Sequence, residues 1–304
     1  MERFYGLARV SRQGFHKALE RGKAYQAMVE SIVPLVKDYR LTKDRRAGSR
    51  SLYYNLGIKE QFRIGVGRFE KLMSDEGLTL AKFKSKVVTT RSCESSKSFT
   101  NLTKGLVING INQLVVGDLT YLMFEGAFFY LFLLTDVYSA RIVGTMLGTR
   151  MRAIEAVAAL EGWATLRGGQ RSLEGCIHHT DGGGQYFSKL YMDKSKGLGL
   201  VTSVADGCLE NSFAEQRNGL FKQHLLPTVS ELSLQVLQAE LEKIIYFYNH
   251  GRRQQALGWL SPVEFEEKWT GHESPPCMKI YDRDEGTPTS RYRFSEASGD
   301  QNGH

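Results

Sequence analysis

The chain has few cysteines and no long apolar run, and both absences narrow the possibilities. Its four cysteines are scattered without C-x-x-C spacing, which argues against a zinc site and against a disulfide framework. The longest apolar stretch, 127–134, is far shorter than the ~20 residues of a membrane-spanning helix. The N-terminus lacks the apolar core of a secretory signal. We therefore expect a soluble, cytoplasmic protein.

What is present suggests two domains of opposite charge. The 304 residues include 41% apolar and 11% aromatic side chains, enough for buried cores, and a chain of this length favours about two domains. Residues 1–100 hold 21 basic and 10 acidic residues, a balance of +11, whereas the rest holds 19 and 23, a balance of −4. The basic N-terminal part predicts a polyanionic partner, and the acidic C-terminal part predicts bound cations. A need for solubility alone is an alternative explanation of the charge distribution.

The pattern along the chain predicts four regions. Residues 1–79 are expected to form a basic helical domain, 80–105 a linker, 106–270 an α/β core and 271–304 a poorly ordered tail. In the first region, Ser11 could cap a helix, apolar residues at 25–39 follow a helical period, and two further helices are expected at 51–56 and 62–73. Paired short helices in a basic context suit a helix-turn-helix-like DNA contact, but an ordinary helical bundle fits equally well.

The core is predicted to be a mixed five-stranded sheet flanked by helices. Strands at 113–123, 128–136 and 141–146 are joined by tight turns and should form an antiparallel meander. A helix at 151–166 follows, and then two strands at 176–179 and 200–204, which the intervening segment allows to be parallel. Helices at 211–225 and 230–248 close the pattern.

Three acids are the candidate metal ligands. Asp118 and Asp181 each end an apolar strand, and Asp181 precedes three glycines that let the backbone bend closely around a ligand. Glu215 lies in a predicted helix whose face also carries Asn211, Asn218 and Lys222. Crowded carboxylates repel one another, and divalent metals remove that penalty. A pair of such ions could activate a water and a leaving oxygen in phosphoryl transfer.

Other readings of these residues remain open. The three acids could be ordinary turn and surface residues. Glu210 competes with Glu215, but it lies about 140° away around the helix and suits the helix N-terminus better. Asp136 also ends an apolar run, and we interpret it as a turn residue near the site. His178 and His179 could contact substrate or fill space beside the strand.

These motifs together resemble the insertion-sequence transposases of the retroviral-integrase type, over about residues 10–269. The resemblance rests on four segments: Asp118-Leu-Thr-Tyr121, His179-Thr-Asp-Gly-Gly-Gly-Gln-Tyr186, Asn211-Ser-Phe-Ala-Glu215 continuing to Lys222, and Tyr248-Asn-His-Gly-Arg252. It implies an RNase H-like fold at 106–270 and a DDE catalytic centre at Asp118, Asp181 and Glu215. The basic helical domain before the core is also similar to that family.

The resemblance further implies a function and its partners. The expected activity is metal-dependent nicking of 3′ ends and strand transfer, with two Mg²⁺ ions or Mn²⁺ as a substitute. The expected partners are double-stranded DNA from element ends and target, other copies of the chain in a multimer on DNA, and an upstream DNA-binding product joined by frameshifting. Binding would place the protein on the nucleoid. The expected DNA contacts are Lys222, Arg217, Gln185, Tyr186, Arg252, Arg45, Arg46 and Arg50.

Departures from the family pattern keep two rival functions open. Gly182 and Gly184 stand where the family usually has Arg and Ser, and Glu210 replaces an Asp. A catalytically decayed DNA-binding regulator would bind without metal-dependent turnover. A nuclease on the same fold would cleave RNA or hybrid duplexes without joining ends, but the basic front and C-terminal motif match the transposases better.

Overall fold

The computed structural model describes residues 11–81, 99–124, 127–205, 212–222, 233–280 and 292–294. The chain divides into two compact units, Met1–Phe83 and Lys84–His304. The first unit is helical and the second is α/β in their described parts. Most of the predicted linker, 82–98, lies outside the described residues, so the predicted boundaries stay a prediction.

The described part of the first unit contains four helices: α1 (Arg12–Thr42), α2 (Ser49–Asn55), α3 (Ile58–Phe62) and α4 (Val66–Asp75). The Ser11 hydroxyl accepts a hydrogen bond from Gly14 N at 3.0 Å, so the predicted cap is present. The two helical patterns after it belong to one 31-residue helix. The helix predicted at 62–73 is interrupted because Arg63 has a positive φ of 54°, which ends α3 before α4 begins.

The second unit is built on a mixed five-stranded sheet with the order β4-β3-β2-β5-β6. Its strands, preceded by the short β1 (Val107–Ile108), are β2 (Leu114–Phe124), β3 (Ala127–Asp136), β4 (Ile142–Gly148), β5 (Ile177–Thr180) and β6 (Val201–Val204). β2, β3 and β4 form the predicted antiparallel meander. β5 pairs in parallel with both β2 and β6, as the sequence also predicted for the last two strands.

Helices cover both faces of this sheet. They are α5 (Ala153–Leu166), α6 (Lys189–Gly197), α7 (Ser212–Leu220), α8 (Leu234–Tyr246) and α9 (Pro262–Trp269). Phe132 and Leu134 of β3 pack with α5 and α6, whereas the alternate residues Leu131 and Leu133 pack with α8. This layered mixed sheet confirms the predicted RNase H-like α/β fold.

Part of the predicted tail has regular structure. Within 271–304, β7 (Met278–Ile280) pairs antiparallel with β1, and β8 (Tyr292–Phe294) pairs antiparallel with β7. Met278 is buried with residues of β2 and α9. At β7 and β8 the chain therefore differs from the expected poor order, because a buried apolar residue fixes a segment whose composition is otherwise polar.

Candidate active site

Asp118 lies within β2, opposite Leu133 of β3, on the sheet face that α7 and α8 cover. One carboxylate oxygen, Oδ1, accepts a hydrogen bond from Leu119 N at 2.9 Å. The other, Oδ2, accepts one from Asn218 Nδ2 of α7 at 2.5 Å. The half-buried carboxylate is therefore held by amide donors, which leave lone pairs on both oxygens for a further ligand.

Asp181 directly follows the neighbouring strand, β5. The parallel register ends with Gly117 of β2 paired with Thr180 of β5, so Asp118 within β2 and Asp181 just after β5 are the residues next to this last pair. Asp181 is exposed, and its Oδ1 accepts a hydrogen bond from Gly183 N at 3.0 Å. The backbone turns directly after Asp181, and this turn requires glycine at position 182. Its φ is +78°, and a Cβ there would lie 2.9 Å from Val204 Cγ1.

Helix α7 brings the third segment to these acids. Glu215 lies in this helix, but its side chain is outside the described part of the structure. Asn218, one turn later on the same helical face, bonds Asp118. Burial lowers the pKa of the Lys222 ammonium, and the nearby negative charge of Asp118 opposes that shift. The Lys222 Nζ atom also lies 4.3 Å from the centroid of the Tyr121 ring.

The predicted DNA contacts divide into accessible and buried residues. Lys222, Arg45 and Arg50 are exposed, and Gln185, Arg46 and Arg252 are partly exposed. Arg50 donates to Glu70 at 2.8 Å in an exposed ion pair, within the first unit.

Tyr186 and Arg217 instead lie in the core. Tyr186 is 3% exposed and packs edge-on against Tyr191, and burial raises its pKa, with the charges of Asp118 and Asp181 adding to the shift. Arg217 is 8% exposed, and its guanidinium lies 4.8 Å from the centroid of the Phe213 ring. Neither side chain can present itself to a duplex from these positions, so we do not include them among the proposed DNA contacts.

The two histidines beside the strand end fill space. His178 is 1% exposed, and its ring contacts Tyr191 Oη at 2.6 Å and Val115 O at 3.3 Å. A Cβ at Gly117 would lie 2.8 Å from this ring, so the ring occupies the space that a glycine in β2 leaves. Burial lowers the pKa of His178 to about 4, which keeps the imidazole neutral at physiological pH. His179 is also buried, with Nδ1 2.9 Å from Ser203 Oγ.

Asp136 is a turn residue, but it does not adjoin Asp118. Its Oδ1 accepts hydrogen bonds from Tyr138 N and Ser139 N at 3.0 and 3.3 Å. Its cross-strand partner is Val115, three residues before Asp118, or about 10 Å along the strand. The turn interpretation is therefore confirmed, and the expected proximity to the site is not.

A buried ionic cluster around Asp136 was missed by sequence reasoning. Arg167 at the end of α5 bonds both Glu266 oxygens at 2.6 and 2.8 Å and lies 3.4 Å from Asp136. Arg141 reaches Glu266 at 2.5 Å, and Ser139 donates to it at 2.7 Å. The partners are 99 to 127 positions from Glu266, so no local spacing marked them.

The chemistry of the acids suits divalent cations. Carboxylates on adjacent strands offer the hard oxygen ligands that magnesium prefers. Among the side chains that the structure describes, no group of three His, Cys, Asp or Glu residues is close enough to hold a metal ion, and Glu215 is not among those side chains. None of the described helices combines the length and the apolar character needed to cross a bilayer.

Comparison with known proteins adds a family to this geometry. Two models described as "Integrase core domain" match residues 109–208 and 203–262, together about half of the chain. A Mycobacterium tuberculosis protein assigned to insertion sequence element IS986/IS6110 is 27% identical over 236 residues, 76% of this chain and 84% of the relative. The Shigella sonnei transposase for insertion sequence element IS629 is 28% identical over 226 residues, 73% of this chain and 74% of the relative.

A solved structure is also similar to this chain. The catalytic core domain of HTLV-2 integrase in complex with magnesium is 14% identical with a TM-score of 0.40, and the match covers 52% of this chain and 97% of that one.

Proposed function

Because the chain belongs to the insertion-sequence transposases of the retroviral-integrase type, we propose that it nicks the 3′ ends of its element and joins them to target DNA, using divalent metal. Transposition of insertion-sequence DNA by an integrase core is the family's function. The chemical steps and the residues that perform them are the proposal.

The observation that carries the proposal is the register of β2 with β5. Gly117 pairs with Thr180, and Asp118 within β2 and Asp181 just after β5 are the residues that follow this pair. Position 215 is on the same face of α7 as Asn218, whose amide bonds Asp118. Three segments that are distant in sequence therefore converge at one edge of the sheet.

We assign the ligands by analogy with the family. Asp118 and Asp181 would hold one Mg²⁺ or Mn²⁺ ion, and Asp118 and Glu215 a second. Bound there, the ions supply Lewis-acid activation of the attacking oxygen and stabilisation of the leaving 3′ oxygen. The hydrogen bond from Asn218 fixes the orientation of the Asp118 carboxylate, as an outer partner of a metal ligand does.

The remaining assignments concern DNA. Lys222, exposed and close to Asp118, would contact a phosphate at the reacting end. Gln185 and Arg252, both partly exposed, would contact DNA further from the acids. In the first unit, Arg45, Arg46 and Arg50 would contact DNA next to the short helices α2–α4, and 1–79 would act as the DNA-contact region. We also propose assembly into a multimer on DNA and cooperation with an upstream DNA-binding frameshift product.

The test is a reaction with the element's own ends. The full chain would be incubated with those ends, a target duplex and Mn²⁺, and the products scored for 3′ nicks and joined strands. Nicking and joining that need metal support the proposal. Asp118→Asn with wild-type strand transfer would overturn the assignment.

The same experiment decides between the rival functions. The glycines at 182 and 184, where the family usually has Arg and Ser, favour a decayed binding protein. That alternative predicts a DNA complex on the element ends and no metal-dependent product. Cleavage of hybrid duplexes without joined strands would indicate a nuclease instead.

A further inference from the structure

Three exposed apolar side chains form a strip on the hairpin of β2 and β3. Tyr121, Met123 and Phe128 are 59%, 66% and 50% exposed. The antiparallel register pairs Met123 with Phe128 and Tyr121 with Tyr130, so the three side chains share one sheet face. The Tyr121 and Phe128 rings contact each other edge to face, with centroids 6.0 Å apart.

The strip continues the face that α5 and α6 cover elsewhere. Phe132 and Leu134, further along the same face of β3, are buried in the core with those helices. Toward the hairpin turn, the helices of the described residues no longer cover this face, and the described side chains there remain apolar. Single exposed apolar residues need no explanation, but contiguous ones on adjacent strands mark an interaction surface. This surface is named the hairpin strip below.

The hairpin strip adjoins the proposed active site through Lys222. The Lys222 Nζ atom lies 4.3 Å from the Tyr121 centroid, and its ammonium also interacts with Asp118. The pairing of β2 with β5 ends at Gly117, so in the described structure β2 is an edge strand on that side from Asp118 onward. A ligand that contacts Asp118 and Lys222 can therefore pass over this edge to the strip on the other face.

The chemistry of the strip selects a nucleic-acid end rather than a protein. Aromatic rings beside a cation bind single-stranded DNA, because bases stack on the rings while the cation contacts the backbone phosphate. A second copy of the chain packed here would have to remove the Lys222 ammonium from water at an apolar contact, which is costly. A fully paired duplex keeps its bases stacked internally and offers no free base to the rings.

We infer that the hairpin strip of Tyr121, Met123 and Phe128 binds an unpaired nucleobase at a DNA end while Lys222 contacts the adjoining phosphate. The inference rests on the proposed function, because it takes the DNA end to lie at Asp118. It adds a preference for ends whose last bases are unpaired.

The experiment measures binding without chemistry. The full chain, in EDTA, would be titrated with two duplexes of the element end, one fully paired and one with two mismatched terminal pairs carrying 2-aminopurine on the last base. We expect tighter binding of the unpaired end by on the order of tenfold, with quenching of the 2-aminopurine on stacking. Phe128→Ala combined with Tyr121→Ala should remove both effects, while binding of the paired duplex should fall by no more than it does in Lys222→Met, because Tyr121 contacts Lys222.

Three further variants separate stacking from other causes. Phe128→Tyr keeps a ring and should retain the preference. Tyr246→Ala removes a 67% exposed aromatic residue from α8, on the opposite face of the sheet, and should change nothing. Lys222→Met should weaken the binding of both duplexes equally. It should also reduce the slope of the logarithm of the binding constant against the logarithm of salt concentration by about one.

The outcomes distinguish this inference from the proposed function. A wild-type chain that binds neither duplex contradicts the proposed function. Binding of both duplexes with equal affinity, or a preference that survives the double alanine variant, overturns the inference alone. A double variant that turns a dimer into a monomer in sedimentation, with the preference intact, would assign the strip to a second copy and also overturn it.

Discussion

Two groups of carboxylates in the second unit differ in almost every physical respect. Asp136 and Glu266 are 0% and 5% exposed and pair with Arg141 and Arg167. Asp118 is half-buried, accepts hydrogen bonds from amides and has a lysine nearby, whereas Asp181 is exposed. Asp136 pairs with Val115 of β2, three residues or about 10 Å along the strand from Asp118.

The difference separates acids that stabilise the fold from acids that can take a ligand. The lone pairs of Glu266 are occupied by two guanidinium groups and the Ser139 hydroxyl, so a metal would have to displace buried partners. Asp118 and Asp181 each follow the last residue pair of the β2–β5 ladder, and the first is half-buried and the second exposed, so a ligand from solvent can reach them. Burial therefore separates the two groups: Asp136 and Glu266 are buried under arginines, whereas Asp118 is half-buried and Asp181 exposed, which makes the latter pair the candidate metal site.

The comparison predicts the largest effect at Asp118. Asp118→Asn removes a proposed metal ligand without changing side-chain size, and strand transfer should fall by at least about a thousandfold, since metal ligation contributes several kcal/mol to transition-state stabilisation. The free energy of unfolding without metal should fall by no more than about 1–2 kcal/mol, because asparagine offers one acceptor oxygen where the Asp118 carboxylate uses two. Product yield and urea unfolding are the two measurements. A large loss of stability would show that Asp118 belongs with the structural acids.

The opposite pattern is expected at Glu266. Glu266→Gln removes the carboxylate that two arginines share and leaves Asp136, 3.4 Å from Arg167, as the remaining buried acid; breaking such a pair costs about 3–5 kcal/mol of stability. Glu267→Gln, on the next and exposed position of α9, is the matched control and should cost almost nothing. Urea unfolding of both variants measures the contrast. Equal midpoints would contradict a stabilising role for the cluster.

Local patterns predicted the helices and strands of the fold because the signal for each element lies within a short segment of the sequence. The apolar run before Asp136 marked β3, and Ser11 marked the start of α1. The same reasoning placed Asp118 and Asp181 at strand ends, which is right for Asp181, directly after β5, and wrong for Asp118, which lies within β2 because the apolar pattern continues beyond it. It could not give the register of β2 with β5, because strand pairing depends on residues about 60 positions apart.

Long-range side-chain contacts were the part that sequence reasoning missed. Arg217 and Tyr186 carry groups typical of DNA contacts, and only packing against Phe213 and Tyr191 shows that they are buried. The Arg167–Glu266 pair joins α5 to α9 with no motif to indicate it. Asp136 was expected to be a turn residue near the active site, whereas its partners are the backbone amides of Asn112, Tyr138 and Ser139 and the Arg167 guanidinium.

A smaller effect, on pH dependence, is expected at His178. Its folded pKa, about 4, lies below the ordinary 6.5, so both states are neutral above pH 6.5 and the full contribution to stability is present there. As the pH falls from 6.5 to 4, the unfolded histidine binds a proton and the folded one does not, so stability is lost, by up to about 3 kcal/mol. His178→Asn removes this titration. The wild-type protein should therefore lose up to about 3 kcal/mol of unfolding free energy relative to the variant as the pH falls from 6.5 to 4. A constant difference across this range would mean that His178 ionises normally in the folded protein.

The smallest effect is expected at Asn218, which touches the candidate site only through Asp118. Asn218→Ala removes the 2.5 Å hydrogen bond to Asp118 Oδ2 but no proposed metal ligand. Removing an outer partner of a metal ligand typically lowers metal affinity or activity by about 10–100-fold. The Mn²⁺ concentration for half-maximal strand transfer should therefore rise by about this factor. Activity at saturating Mn²⁺ should recover most of its wild-type value. A purely structural role would lower activity at all metal concentrations alike. Asn249→Ala, which removes a buried amide bonded to Ile142 away from the site, supplies that structural control and should leave the Mn²⁺ requirement of the remaining activity unchanged.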